Sequence, residues 1–417
     1  MLDFFDNGKN INYKNSILAV IAILGVVYAA SKGISFSGEG GLDFHLIWVA
    51  GKTWAAGANP YGPTFLTQYY EHFHVTMPGA YWVYPPYWYP IAVSLSYWSF
   101  PIANSIWKAV NLALLIGATH LIARATADVT REKYAPIFFI GIAYACFMQA
   151  TAVVLFNGQT SIVFYFGFAA VFYGILRNRP LFVVIGLVFL ALKPQIGAVV
   201  FAAVFMLRQF RWTVLVAAGV CLIATIPMVV ATDYRASLEG LFTNLTRYSA
   251  FPANTPANLT GLTNIISFVA SPSVAVHAML PLFAVAIVCA AAIFYFWPID
   301  VAAEVDGVRM QLASLVLFVA STLFLLPLHS YDIVSLAALI TMISAKSLAG
   351  RWLMFSGLIV CLRPSSLFNL LGMTNSAGLD FPESGLVSLG LLLIFMGAVW
   401  AAISASLQKH LLAKNRA

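Results

Sequence analysis

The sequence predicts an all-α protein that crosses a membrane many times, and three observations carry that prediction. Of its 417 residues, 61% are hydrophobic and 9% are charged, with a mean hydropathy of +0.87. Soluble domains run nearer half apolar and a quarter charged. The apolar residues fall in runs close to the roughly 20 that a helix needs to span a hydrocarbon core. The cations lie in short clusters between those runs, as cytoplasmic loops require. So little polar surface excludes a soluble enzyme, and so little charge excludes disorder or a coiled coil. The formal charge of +7 is spread over the clusters and forms no basic-aromatic patch, so nucleic acid is not an expected partner. Cys146, Cys221, Cys289 and Cys361 stand singly in apolar runs, which predicts buried thiols rather than disulfides or a zinc site.

The first span runs from Asn15 to Ser31, behind Lys9 and Lys14, and is expected to stay as an anchor. Residues 32–84 then mix aromatic, polar, Gly and Pro residues and cannot span. They read as a large outer loop whose pieces 44–49 and 65–73 lie flat at the interface, where Trp and Tyr are favoured. Further spans are expected at 104–123, 135–155, 159–176, 213–231, 273–297, 310–327, 331–345, 352–370 and 385–406. The run 181–207 is broken by Lys193-Pro194-Gln195. It reads as two short helices, because Pro removes a helical hydrogen bond and Lys is costly inside a bilayer.

The cationic clusters Arg124/Arg131/Lys133, Arg177/Arg179, Arg208/Arg211, Arg309, Lys346/Arg351 and Lys409/Lys414/Arg416 are placed on the cytoplasmic side. That orientation puts 32–84 and 232–265 outside and gives about twelve crossings. The apolar stretch 85–101 would make one more, so it is expected to be re-entrant or interfacial. No internal repeat appears, and residues 1–417 read as a single transmembrane domain without a soluble part.

In this topology the chemically capable residues gather at one depth. Asp43 follows the first span, and Asn59, Tyr61 and Tyr84 share its loop. Gly158-Gln159 opens one span, Lys193 sits at the break, and His329 and Asp332 form the turn Pro327 to Asp332. Blander readings exist for each. Asp43 suits a helix N-cap, Lys193 can snorkel, Asn59-Pro60 is a turn signal, and the aromatics at 81–89 suit an interfacial belt. Their shared depth is what argues for a site. No Asp-x-Asp, phosphate-binding loop or metal motif is present, so neither a metal nor another cofactor is expected. An outer-face enzyme has no nucleotide-sugar at hand, which makes a lipid-borne substrate the expected one.

The ordered set GGLDFHLIWVAGKTWAAGANPY, Trp82 to Pro86, NGQT, KPQ and PLHSYD resembles glycosyltransferase family 87 from about Gly41 to Asp332. The resemblance implies a GT-C type membrane enzyme that uses a polyprenyl-phosphate sugar, mannose first among the sugars, and a lipid or glycan acceptor. It implies a multi-pass protein of the inner (plasma) membrane with its site on the periplasmic side. The family's early acidic residue falls on Asp43, its Gly-Gln on Gly158-Gln159, its Lys-Pro on Lys193-Pro194 and its late His-containing turn on 327–332. Where mycobacterial members carry Ser-Pro-x-Ser-Trp-x-His-His, this chain has PLHSYD.

A polyprenyl phosphate leaves readily, so the chemistry asks for one base rather than an acid, and Asp43 is the expected base. Lys193, His329 and Arg247 are the expected phosphate-binding residues. Asn59, Tyr61, Tyr84, Gln159, Asn258 and Asp332 are expected to hold sugar or acceptor. The outer loop 232–265 reads as a lid or acceptor dock. The competing readings are a flippase for a lipid-linked saccharide, which would favour polar residues at mid-bilayer, and an O-antigen ligase or polymerase, which would favour outer arginines.

Overall fold

The computed structural model describes residues 8–33, 40–75, 80–296, 305–344, 348–372 and 383–416. Lys346 and parts of the loop 32–84 fall outside them. The described secondary structure is helical, apart from one isolated bridge between Thr260 and Leu328. Five helices are long and apolar enough to cross a membrane, or up to seven if each of two bent pairs counts once. The remaining five expected spans fall on shorter apolar helices, Ser161–Leu176, Pro180–Ala191, Pro194–Met206, Met310–Leu325 and Ser330–Ile343. Length and apolarity therefore support five to seven crossings, fewer than the sequence count of about twelve.

The two bent pairs were read from the sequence as straight spans. Helix Tyr134–Phe147 turns by 60° into Gln149–Asn157, and Arg351–Leu362 turns by 85° into Pro364–Leu370. Pro364 explains the second bend, since a proline ring cannot continue the preceding helix. The first has no proline. There Thr151 Oγ1 donates to the Ala145 carbonyl at 2.5 Å, capping the broken end. The bends support each other, because the Ser365 backbone N–H donates to Gln149 Oε1 at 2.9 Å.

The loop after the first helix is more deeply built than a surface-lying segment. Helix Leu42–Ala55 buries Phe44, Ile47, Trp48, Val49, Ala50 and Trp54, which point in most directions around its axis. A helix apolar on all sides belongs inside the protein. It packs on helix Tyr89–Ser96 so closely that a Cβ at Gly51 would stand 2.0 Å from the Ala92 carbonyl oxygen. Helix Thr64–Phe73 is the amphipathic one, with Phe65 and Tyr69 buried and Leu66 and Tyr70 exposed. The stretch 85–101 forms the short turn Pro86–Trp88 and helix Tyr89–Ser96, held by Trp88 Nε1 donating to the Leu192 carbonyl at 3.0 Å.

The segment 232–265 also has structure of its own. Asp233 caps helix Tyr234–Ser249 by accepting from the N–H groups of Arg235 and Ala236. Asn244 Nδ2 from this helix donates to the carbonyls of Tyr61 (3.3 Å) and Trp82 (3.2 Å), which docks it on the first loop.

Candidate active site

Asp43 stands in the first turn of helix Leu42–Ala55 but does not cap it. The N-cap is Gly41, at φ 95°, and no side chain caps the helix. Gly41 N–H donates to the Phe156 carbonyl at 2.8 Å, tying the helix start to the segment that ends at Gly158-Gln159. Gly158 itself has φ +70°, and a Cβ there would lie 2.6 Å from Phe44 Cβ. Only glycine allows both that backbone shape and that approach. Trp107 Nε1 then donates to the Gly158 carbonyl at 2.8 Å and fixes the turn. The result brings the Gln159 side chain into a hydrogen bond with the Asp43 carboxylate.

The second carboxylate is held differently. Lys193 lies in the break between Pro180–Ala191 and Pro194–Met206, and its Nζ meets Asp332 Oδ2 at 2.5 Å. Ser161 Oγ donates to Asp332 Oδ1 at 2.7 Å, and the His329 backbone N–H donates to Oδ2 at 3.2 Å. The Asp332 side chain has no exposed surface, whereas 13% of Lys193 remains exposed. A buried charge requires such partners. Lys193 Nζ also lies 5.3 Å from the centre of the Phe164 ring.

These environments separate the two acids. Burial raises the Asp43 pKa from 3.8 to about 7, the Gln159 hydrogen bond and Lys193 opposing the rise and the Asp332 charge adding to it. Asp43 is thus the carboxylate that exchanges a proton near neutrality, while Asp332 is engaged by a cation and two donors. Burial also lowers His329 to about 4, so its imidazole is neutral at pH 7 and acts as a hydrogen-bonding group rather than a cation. The ring stacks on Tyr331, 4.9 Å between centroids and 16° apart.

Tyr84 joins the cluster. Its hydroxyl bonds Thr160, and burial followed by the Asp43 charge raises its pKa. Tyr248 joins from helix Tyr234–Ser249, pushed up to about 12 by burial and by the charges of Asp43 and Asp332.

Of the expected site residues, the fold therefore gathers Asp43, Gln159, Lys193, His329, Asp332 and Tyr84. Others are occupied elsewhere. Asn59 Oδ1 accepts from the Tyr61 N–H at 2.9 Å in a local turn, and the Tyr61 hydroxyl donates to the Tyr84 carbonyl at 2.7 Å. Asn258 Nδ2 donates to the Pro252 carbonyl at 2.9 Å. Arg247 lies over the Tyr81 ring at 5.9 Å, on a separate pocket of about 370 Å³. Ser161 was not read from the sequence, and Thr160 and Tyr248 were read only as parts of NGQT and of the 232–265 loop, with no role of their own. Ser161 opens an apolar helix and carries no motif, and Tyr248 reaches the site because helix Tyr234–Ser249 docks on the first loop. Among the described residues no group of three or more His, Cys, Asp or Glu could hold a metal.

Comparison with known families matches residues 82–327, more than half of the chain, to glycosyltransferase family 87. The chain belongs to glycosyltransferase family 87. This member of the family is thus a membrane glycosyltransferase, acting on a sugar donor and an acceptor. The matched region includes Tyr84, Gln159 and Lys193; His329 and Asp332 lie just past its end, and Asp43 lies well before its start. No curated protein matches the chain.

Proposed function

We propose that the chain transfers a hexose, mannose first among the candidates, from a polyprenyl phosphate to a hydroxyl of a lipid or glycan acceptor on the extracytoplasmic side of the inner membrane. The reaction is a single inverting displacement. Asp43 takes the acceptor hydroxyl proton as that oxygen bonds to the anomeric carbon. The bond from the anomeric carbon to the phosphate oxygen breaks, and polyprenyl phosphate leaves with the electron pair. General-base assistance of this kind is typically worth about 10²–10⁴ in rate, most when the base titrates near working pH.

The division of labour between the two carboxylates carries this reading. A retaining mechanism needs a second free carboxylate as nucleophile. Asp332 is committed to Lys193, Ser161 and the His329 N–H, so one base remains. Lys193 keeps donors for a phosphate oxygen while paired with Asp332, and the neutral His329 imidazole adds a hydrogen-bonding group. Gln159 orients Asp43, and Tyr84 and Tyr248 line the space for the sugar. Arg247, over Tyr81, is placed to meet the acceptor rather than the phosphate at Lys193. Helix Tyr234–Ser249 would close over the bound substrates.

The test is transfer from polyprenyl-phosphate-mannose and related sugar lipids to extracted membrane lipid by the purified protein. Product with inverted anomeric configuration is expected. Movement of the donor across vesicles without a glycosidic bond would replace this reading with a flippase.

A further inference from the structure

Helix Phe100–Thr130 carries a cation, outside the Asp43–Asp332 cluster, that nothing among the described residues neutralises. Lys108 forms no hydrogen bond or ion pair there. It lines a half-open groove of about 450 Å³ between that helix and helix Gly8–Gly33, with Leu155 at its back. A Cβ added at Gly33 would lie 3.9 Å from Lys108 Cδ, so the lysine stands level with the end of the first spanning helix. From there the groove runs inward along Ala29 and Leu112 and outward to Gly40 and Asn104.

Two further observations point to an occupant. Asn104 precedes Lys108 by one helical turn on the same face, and its buried Oδ1 has no hydrogen-bond partner among the described residues. The flanks are open to the bilayer, since Leu24 (58%) and Val27 (60%) on one helix and Val110 (42%) on the other are exposed apolar side chains. An ionisable residue in a spanning helix is costly unless something answers its charge. Here a polar head with an apolar tail would answer both parts of the groove.

We infer that this groove binds a glycerophospholipid with a hydroxyl-bearing head group, its phosphate on Lys108, a head-group hydroxyl donating to Asn104 Oδ1 and an acyl chain along Ala29 and Leu112. The sugar donor is not the occupant. Trp107, the neighbour of Lys108, donates to the Gly158 carbonyl beside Gln159. Lys108 is about 100° further round the helix, and none of Asp43, Gln159, Lys193, His329 and Asp332 lines the groove. A phosphate held on Lys108 is not the reacting one, and the inference stands apart from the proposed reaction.

Native mass spectrometry of wild type and Lys108→Met, released from nanodiscs of equimolar phosphatidylglycerol and phosphatidylcholine, tests it. Wild type should retain a phosphatidylglycerol that the variant loses, with affinity lowered about tenfold, equivalent to about 1.4 kcal/mol. Lys108→Arg keeps the charge and should keep the lipid, which separates lost binding from lost folding. In lipid-free detergent, wild type and both variants should share one Tm, and added phosphatidylglycerol should raise it in all but Lys108→Met. Equal retention by all three proteins would overturn the inference. Polyprenyl phosphate displacing the lipid from wild type at equal concentration would overturn the choice of occupant.

Discussion

Replacing Gln159 with leucine tests how the site sets the titration of Asp43, the proposed base. The Gln159 amide donates to the Asp43 carboxylate and is the foremost influence holding its pKa down against burial. A hydrogen bond to a charged group is worth about 1.5–3 kcal/mol. At 1.36 kcal/mol per pH unit, its loss moves the Asp43 titration up by about one to two pH units. Wild type titrates at about 7, so about half of the free enzyme carries the base at neutral pH. In Gln159→Leu that fraction falls to about 1–10%. The expected result is an acid limb of kcat/KM near pH 7 for wild type and about one to two pH units higher for the variant. The loss should then be about 5–50-fold at neutral pH and disappear in alkaline buffer. The assay is initial-rate transfer from a saturable polyprenyl-phosphate sugar across about pH 5 to 10. An unmoved limb with a lower plateau at every pH would refute this reasoning and make Gln159 a sugar ligand.

Other consequences follow from the same geometry. Lys193→Met leaves Asp332 buried and unpaired and should cost about 3–5 kcal/mol of stability, read as a lowered Tm. Lys193→Met with Asp332→Leu should restore much of the Tm but no transfer, whereas a stability role alone would restore both. Gly158→Ala forces a Cβ to 2.6 Å from Phe44 at φ +70°, and should lower turnover at least tenfold by displacing Asp43. Burial disfavours the Asp43 carboxylate, so its raised pKa contributes stability below the ordinary carboxylate range that is lost as pH rises through about 7. Asp43→Asn should therefore gain Tm over wild type at pH 8 and not at pH 4, which thermal unfolding in detergent reads directly.

Much of this arrangement was legible because backbone chemistry marks it. Lys193-Pro194 interrupts an apolar run with the residue that cannot continue a helix and the charge that cannot rest in lipid, and the chain breaks there. Gly158-Gln159 and Asp43 were readable as polar residues at one depth. Their contact depends on the two close approaches at Gly41 and Gly158, which composition does not reveal. The piece 44–49 of helix Leu42–Ala55 looked interfacial because it is amphipathic and carries Trp48, a residue favoured at the interface. Its burial follows from partners at 89–96 and 100–107 that the sequence does not pair with it. The bend at Met148 carries no proline, and it persists through the Thr151 hydroxyl on the Ala145 carbonyl and the Gln149–Ser365 bond across the bundle. Asp332 was expected to face substrate. Its pairing with Lys193, 139 residues away in the chain, needed the fold to bring two turns together.

Asp43 is the proposed base of a polyprenyl-phosphate-dependent sugar transfer. The most direct test of that role measures transfer and donor binding side by side for wild type and Asp43→Asn in nanodiscs. The expected result is a loss of about 10²–10⁴ in turnover at pH 7 with donor affinity unchanged. Equal turnover by the two proteins would contradict it.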